Sequence, residues 1–202
     1  GSTASARPAP ELVPPTGSVT INTGAAFTNS ASVKLNLSAT DASGVSSMCI
    51  SNTSTCTRYE PYATSKQWTL GSTNGPATVY VWFKDRYENA TGTPAKASVT
   101  VDTTAPAGGT FNATQGAAGS KQINLSWTAA TDVNGVVAYK VVFAPGSTAP
   151  ATCNAGITVY NSAGLNYIHT GLVAGSVYSY RWCAVDKAGN FSAGLGRTVA
   201  AR

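Results

Sequence analysis

The chain carries little charge: 10% of its 202 residues are Asp, Glu, Lys or Arg, and the net +5 comes from basic residues scattered singly along it. Nucleic-acid binding needs Lys and Arg clustered on one face, so no nucleic-acid partner is expected. Histidine is limited to His169, and no Cys-x-x-Cys pair occurs. A zinc site would have to draw four thiolates from both halves of the chain, a poor alternative to disulfide bonding. Apolar runs last only a few residues, against the roughly 20 that a membrane helix needs, so no membrane insertion by this segment is expected. The start lacks the charged, apolar and small-residue order of a secretory signal, and Gly1-Ser2 has the look of a cloning remnant, so the natural start is expected upstream.

What is present is Ser, Thr, Ala, Gly and Val, in short alternating stretches divided by turn residues. In SVKLNLSA, from Ser32, Val33, Leu35 and Leu37 alternate with Lys34, Asn36 and Ser38, the period of a strand with one buried face. Similar stretches begin at Ser18, Val45, Lys66, Thr78 and Lys96, and again in GTFNAT, KQINLSWTA, VAYKVVFA, ITVYN, NYIHTGL, SVYSYRWCAVD and GRTVAA. The reading is all-β, in two sandwich-like units of about seven strands over roughly a hundred residues each. Residues 1–16, rich in Pro and Ala, read as an extended linker or tag remnant; residues 17–102 form the first unit, 103–106 the interdomain linker and 107–202 the second unit.

The four cysteines fall into two pairs. Cys49 and Cys56 flank a short polar loop, while Cys153 and Cys183 enclose enough chain for two strands and restrict the unfolded state more. An even cysteine count in a Ser/Thr-rich β chain points to an oxidising compartment, hence to a secreted or cell-surface protein.

Residues 107–202 resemble a fibronectin type III domain, through Trp127 in INLSWTAATD, Tyr139 in AYKVVF, and TGLVAGSVYSYRWCAVDKAGN. Residues 17–106 resemble a bacterial Ig-like repeat, through GSVTINTGAAFTNSASVKLNLSATDASGVSSMCISN, EPYATSKQWTL, TVYVWFKDRYENATG and the closing VDTTAP. The resemblance implies two tandem immunoglobulin-like β-sandwiches, from a large secreted or surface-displayed bacterial protein of adhesin-like type. One departure stands out. Where that family has Asp-x-x-Gly-Asn, this chain has Asp85-Arg86-Tyr87-Glu88-Asn89, which is expected to alter the Gly turn and expose the loop.

The frame Thr-Asp-x-x-Gly-Val occurs twice, as TDASGV at 40–45 and TDVNGV at 131–136. In such a sandwich this loop shares a pole with the loop after the sixth strand, which gathers Asp41 with Asp85 and Asp132 with Asp186. Two roles fit. Asp accepting backbone N–H bonds, with Gly at positive φ, is ordinary turn chemistry. Alternatively, Asp102, Asp132 and Asp186 could hold calcium, which takes several oxygen ligands in loose geometry; no other cofactor is expected.

In TVYVWFKD, Val79, Val81 and Phe83 face inward, which leaves Tyr80 and Trp82 on the outer face, where rings meet sugars or protein partners. The alternative is a ring lying over neighbouring side chains or the adjoining loop. Tyr59, Tyr62 and Tyr87 are further candidates for ligand contact. Trp68, Trp127 and Trp182 are assigned to the cores.

No catalytic residues are assigned. His169 has no acid beside it in sequence, and no phosphate-binding Gly loop or metal-binding His pair occurs. The expected function is therefore a non-enzymatic spacer, display and adhesion module, monomeric in isolation, with a cell-surface protein or glycan as partner. An accessory carbohydrate-binding module of a secreted hydrolase and a subunit of an extracellular filament are the alternatives.

Overall fold

A computed structural model describes residues 11–202 and divides the chain into two compact units after Asp102. The first ten residues of the expected linker lie outside the described residues. The first unit contains β1 (Thr16–Ile21), β2 (Phe27–Thr28), β3 (Ser32–Thr40), β4 (Val45–Ser51), β5 (Glu60–Pro61), β6 (Ser65–Thr69), β7 (Gly75–Asp85) and β8 (Ala95–Val101). Two sheets form, in the orders β1-β3-β6 and β2-β8-β7-β4-β5. The two-residue strands β2 and β5 are absent from the sequence reading, because two residues cannot display an alternation.

The second unit contains β9 (Phe111–Gln115), β10 (Ile123–Trp127), β11 (Val136–Pro145), β12 (Ile157–Ser162), β13 (Asn166–His169), β14 (Val177–Asp186) and β15 (Leu195–Ala200). Its sheets run β13-β10-β9 and β12-β11-β14-β15. Every pairing is antiparallel except β2 with β8 in the first unit. Among the described residues, no helix is long and apolar enough to cross a membrane.

The alternation seen in the sequence builds both cores. In the first unit Val33, Leu35 and Leu37 of β3 form one core with Val79, Val81 and Phe83 of β7, joined by Met48, Val99 and Val101 from the strands on either side of β7. Packed aliphatic side chains of this size each contribute about 1.5–3 kcal/mol when removed from water. The second core is aromatic. Trp182 lies parallel to Phe111, with centroids 6.3 Å apart, and to Tyr139 at 5.7 Å. Trp127 meets Tyr160 edge-on at 5.1 Å. Gly109, at φ +82°, passes so close to Trp182 that an added Cβ would lie 2.6 Å from the indole, so no larger residue fits there unless Trp182 moves.

Both disulfides form as paired in the sequence, Cys49 to Cys56 and Cys153 to Cys183. The loops they close differ, with separations of 7 and 30 residues. Loop-closure entropy assigns about 2.5 kcal/mol to the shorter and about 3.7 kcal/mol to the longer. Replacing Cys153 and Cys183 by Ser is therefore expected to lower stability by about 1 kcal/mol more than replacing Cys49 and Cys56, as read by denaturant unfolding of each double variant. Equal losses would show that the chain-entropy account fails here.

Candidate functional site

The repeated frame is a repeated corner. In the first unit Asp41 Oδ1 accepts the N–H of Ser43 at 2.8 Å, and the Gly44 N–H donates to the Asp41 carbonyl at 3.1 Å. In the second, Asp132 Oδ1 accepts the N–H of Asn134 at 2.8 Å, and the Gly135 N–H donates to the Asp132 carbonyl at 3.2 Å. Gly44 and Gly135 hold φ of +87° and +92°, where a side chain would be strained. A β-bulge follows each corner, between Val45 and Ser47 and between Val136 and Ala138. Val45 pairs with Asp85, and Val136 with Asp186.

Those two aspartates are buried, with exposures of 0% and 2%. Asn89 clamps Asp85: its backbone N–H donates to Oδ1 at 2.8 Å and its side-chain amide to Oδ2 at 2.6 Å. The Tyr87 N–H adds a third bond. Asn190 holds Asp186 in the same way, at 2.9 and 2.7 Å. The loop is exposed at Arg86, Tyr87 and Glu88, as expected, but the expected alteration of the Gly turn does not occur. Glu88 takes φ +69° where Gly189 takes +88°, and Lys84 holds its carboxylate at 2.7 Å, so the turn is kept although glycine is missing. A left-handed non-glycine residue costs about 1–2 kcal/mol, which the hydrogen bonds around Asp85 and Asn89 offset.

Glu11, placed in the linker by composition, joins the first of these corners. The Asn89 side chain donates to its backbone carbonyl at 3.0 Å and to its Oε2 at 3.2 Å, and the carboxylates of Glu11, Asp41 and Asp85 approach within 4.8 Å of one another. The sequence does hold a signal for this. Glu11 precedes Asp41 by 30 positions (41 − 11), and Asp102 precedes Asp132 by the same 30 (132 − 102). Among the described residues, no Lys or Arg forms an ion pair with any of the three.

Their titration reflects this crowding. The Val13 N–H pulls the Glu11 carboxyl down, but burial and the Asp85 and Asp41 carboxylates together push it above its ordinary value. Burial alone would raise Asp85; the bonds from Asn89, with help from Tyr87, outweigh it and hold that carboxyl below its ordinary value. In the second unit Asp132 and Asp186 lie within the same 4.8 Å. Asp102 is the last residue of the first unit, fully buried, with its N–H donated to the Thr28 carbonyl at 2.8 Å.

The aromatic candidates do not form one patch. Trp82 lies on the outer face, as the alternation requires, but is only 8% exposed: Tyr80 stacks beside it at 6.4 Å, and its cross-strand neighbour is the disulfide-bonded Cys49. Tyr62 turns inward. Its ring meets Phe83 edge-on at 6.0 Å and its hydroxyl accepts the Ala39 N–H, which makes it a core residue. Tyr59 lies under the Lys84 ammonium at 4.3 Å, and Tyr87 is 58% exposed on the loop after β7. Trp127 and Trp182 are buried in the second core, whereas Trp68 is half-buried at the edge of the first.

His169 sits on the edge strand β13, with Nδ1 hydrogen-bonded to the Tyr180 hydroxyl at 2.8 Å and its ring edge-on to Phe143 at 4.7 Å. Burial pushes its pKa down. Among the described residues, no carboxylate is hydrogen-bonded or ion-paired to it.

No family model and no curated protein sequence matches the chain. Solved structures do match in fold. The fibronectin(III)-like modules of Clostridium thermocellum CbhA share 13% identity, with a TM-score of 0.62 over 91% of this chain and 94% of theirs. The FN1–FN3 domains of chicken CNTN1 share 12% identity, with a TM-score of 0.57 over 92% of this chain and 68% of theirs. At these identities the likeness is one of fold alone: the chain is all-β, and its sandwiches share the fibronectin III-like, immunoglobulin-like fold.

The Asp85 clamp has a pH signature. Because its folded pKa is depressed, Asp85 contributes stability above its unfolded pKa, and that contribution is lost as pH falls through the folded value. Asn89→Ala is expected to raise the Asp85 pKa, read by carboxyl NMR titration, and to shrink the stability lost on acidification. An unchanged Asp85 titration would remove the clamp from this account.

Proposed function

We propose that the two modules are non-catalytic spacer and display domains of a larger extracellular protein, holding their loops toward a cell-surface protein or glycan. The observation that carries this reading is the use made of the polar residues. Asp41 and Asp132 accept turn N–H groups, and the buried Asp85 and Asp186 have both oxygens bonded to the loops that follow them. An acid or base for catalysis needs a carboxyl free to exchange its proton with a substrate. Two disulfides and a fibronectin III-like fold support an extracellular setting. A spacer has no need to self-associate. Sedimentation over a hundredfold concentration range is expected to return a monomer, and concentration-dependent growth would favour the filament alternative.

Calcium at the acidic corners is a second reading, favoured by the three crowded carboxylates of Glu11, Asp41 and Asp85. The fit is partial, since most of their oxygens already accept hydrogen bonds, yet calcium can share such oxygens. The site expected at Asp102, Asp132 and Asp186 belongs to the same reading. Calcium at ten times its Kd is expected to stabilise the fold by about 1.4 kcal/mol relative to chelator. Glu11→Gln is expected to remove the first module's share of that gain while raising its stability in chelator, where carboxylate repulsion is relieved. Identical melting in calcium and chelator would leave turn pinning as the sole role of these residues.

A further inference from the structure

A groove of about 300 Å³ opens in the first unit, lined by Ile50, Thr57, Arg58, Glu60, Lys66 and Trp68. It lies between strands of different sheets: β4 and β5 supply Ile50 and Glu60 from the five-stranded sheet, and β6 supplies Lys66 and Trp68 from the edge of the other. We propose that this groove binds a carboxylate-bearing sugar, one uronic acid residue of an acidic polysaccharide. The site is distinct from the Tyr80 and Trp82 face and does not depend on the spacer reading.

Four features support this ligand. First, Trp68 is half-buried and held: its indole N–H donates to Asn52 Oδ1 at 2.8 Å, and Asn52 Nδ2 donates to the Thr69 carbonyl at 3.0 Å. An indole fixed in this way offers the aromatic surface on which the C–H face of a sugar ring packs. Second, Lys66 and Glu60 are paired at 2.6 Å and both remain part-exposed, so donors and acceptors stand side by side, as a polyhydroxylated ring requires.

Third, Arg58 is exposed and, among the described residues, forms no hydrogen bond or ion pair. A guanidinium fork without a partner beside an aromatic floor suits a carboxylate, which it can grip through two parallel bonds. Fourth, Thr57 and Arg58 directly follow Cys56, whose bond to Cys49 ties that segment back to β4. The short disulfide thereby positions the arginine as well as restricting the chain.

A purely structural account covers part of this arrangement. Inward-pointing charge on an edge strand discourages sheet-to-sheet aggregation, and the Lys66–Glu60 pair fits that role. It does not explain Arg58. An acidic peptide would meet repulsion from Glu60, whereas a uronate presents hydroxyls there and its carboxylate elsewhere. The volume lies at the lower end of the range for small-molecule sites and suits a single ring.

The test is a titration of the whole chain with trigalacturonate, its methyl ester and pentaglutamate, followed through the assigned Trp68 indole N–H resonance. The expected result is saturable binding of trigalacturonate at the groove, weakened about tenfold or more by Arg58→Ala or by methyl esterification. Arg58 is exposed and unpaired, so the variant is expected to keep the wild-type spectrum elsewhere. Cys49→Ser with Cys56→Ser is expected to weaken binding through the loop, and Trp68→Phe, followed through the backbone amide resonances of Thr57 and Arg58, to weaken it less than Arg58→Ala does. No saturable shift with trigalacturonate, or binding indifferent to Arg58→Ala, would overturn the proposal. Tighter binding of pentaglutamate would overturn it in favour of an acidic peptide.

Discussion

A buried carboxylate held by the asparagine four residues later governs one end of each unit. Asp85 with Asn89, and Asp186 with Asn190, convert the ends of β7 and β14 into closed turns. Burying an ionised group without partners would cost several kcal/mol, so each turn must form for the strand before it to stay in the sheet. The same aspartates pair with Val45 and Val136, where a β-bulge resets the register after the Thr-Asp-x-x-Gly-Val corner. Corner, bulge and clamp act as one polar assembly in each unit, in which the buried Asp85 and Asp186 have both carboxylate oxygens hydrogen-bonded.

That assembly settles which side chains remain for other work. With their carboxylates bonded to turn N–H groups and to the Asn89 and Asn190 amides, the corners hold the shape of that end of each unit. The remaining chemistry lies where hydrogen-bonding capacity is left over: at the acidic trio of the first unit, and along the sandwich edge where Arg58 and Trp68 flank the Lys66–Glu60 pair. The second unit is organised differently. Its aromatic core takes in Tyr139 and Tyr180, whose hydroxyls contact the Ala130 N–H and His169 respectively, so its one histidine is part of the packing. Burial lowers the basicity of that histidine and, by the same desolvation, raises the pKa of the Tyr180 hydroxyl.

The two disulfides follow this division. Cys183 adjoins Trp182 in β14 and fastens the loop that carries Cys153, which lies within 4 Å of the Lys140 and Arg181 carbonyls. Cys49 adjoins Met48, a core residue, and faces Trp82 across β4 and β7. In both units a strand residue next to the core anchors a loop that has little apolar surface of its own, a common arrangement in small secreted domains.

The sequence by itself determined the longer strands, their buried faces and the corners, because each depends on neighbours close in the chain. Alternation over Val33 to Leu37 specifies a buried face, and Asp followed by Gly at the right offset specifies a turn, whatever lies across the sheet. Cysteine pairing was legible too, since two cysteines fell within each unit. Tertiary structure alone decided the rest. Tyr62 and Tyr59 stand three residues apart, yet one enters the core and the other lies against Lys84, according to the two-residue strand β5 between them. Trp82 kept its outward direction but lost its exposure to neighbours that alternation does not specify. Glu11 reached the acidic corner through bonds to Asn89, 78 positions away, and Arg58 came to line one groove with Trp68 because two sheets meet at that edge. Local periodicity fixes which way a side chain points; what it meets there depends on strands paired from distant parts of the chain.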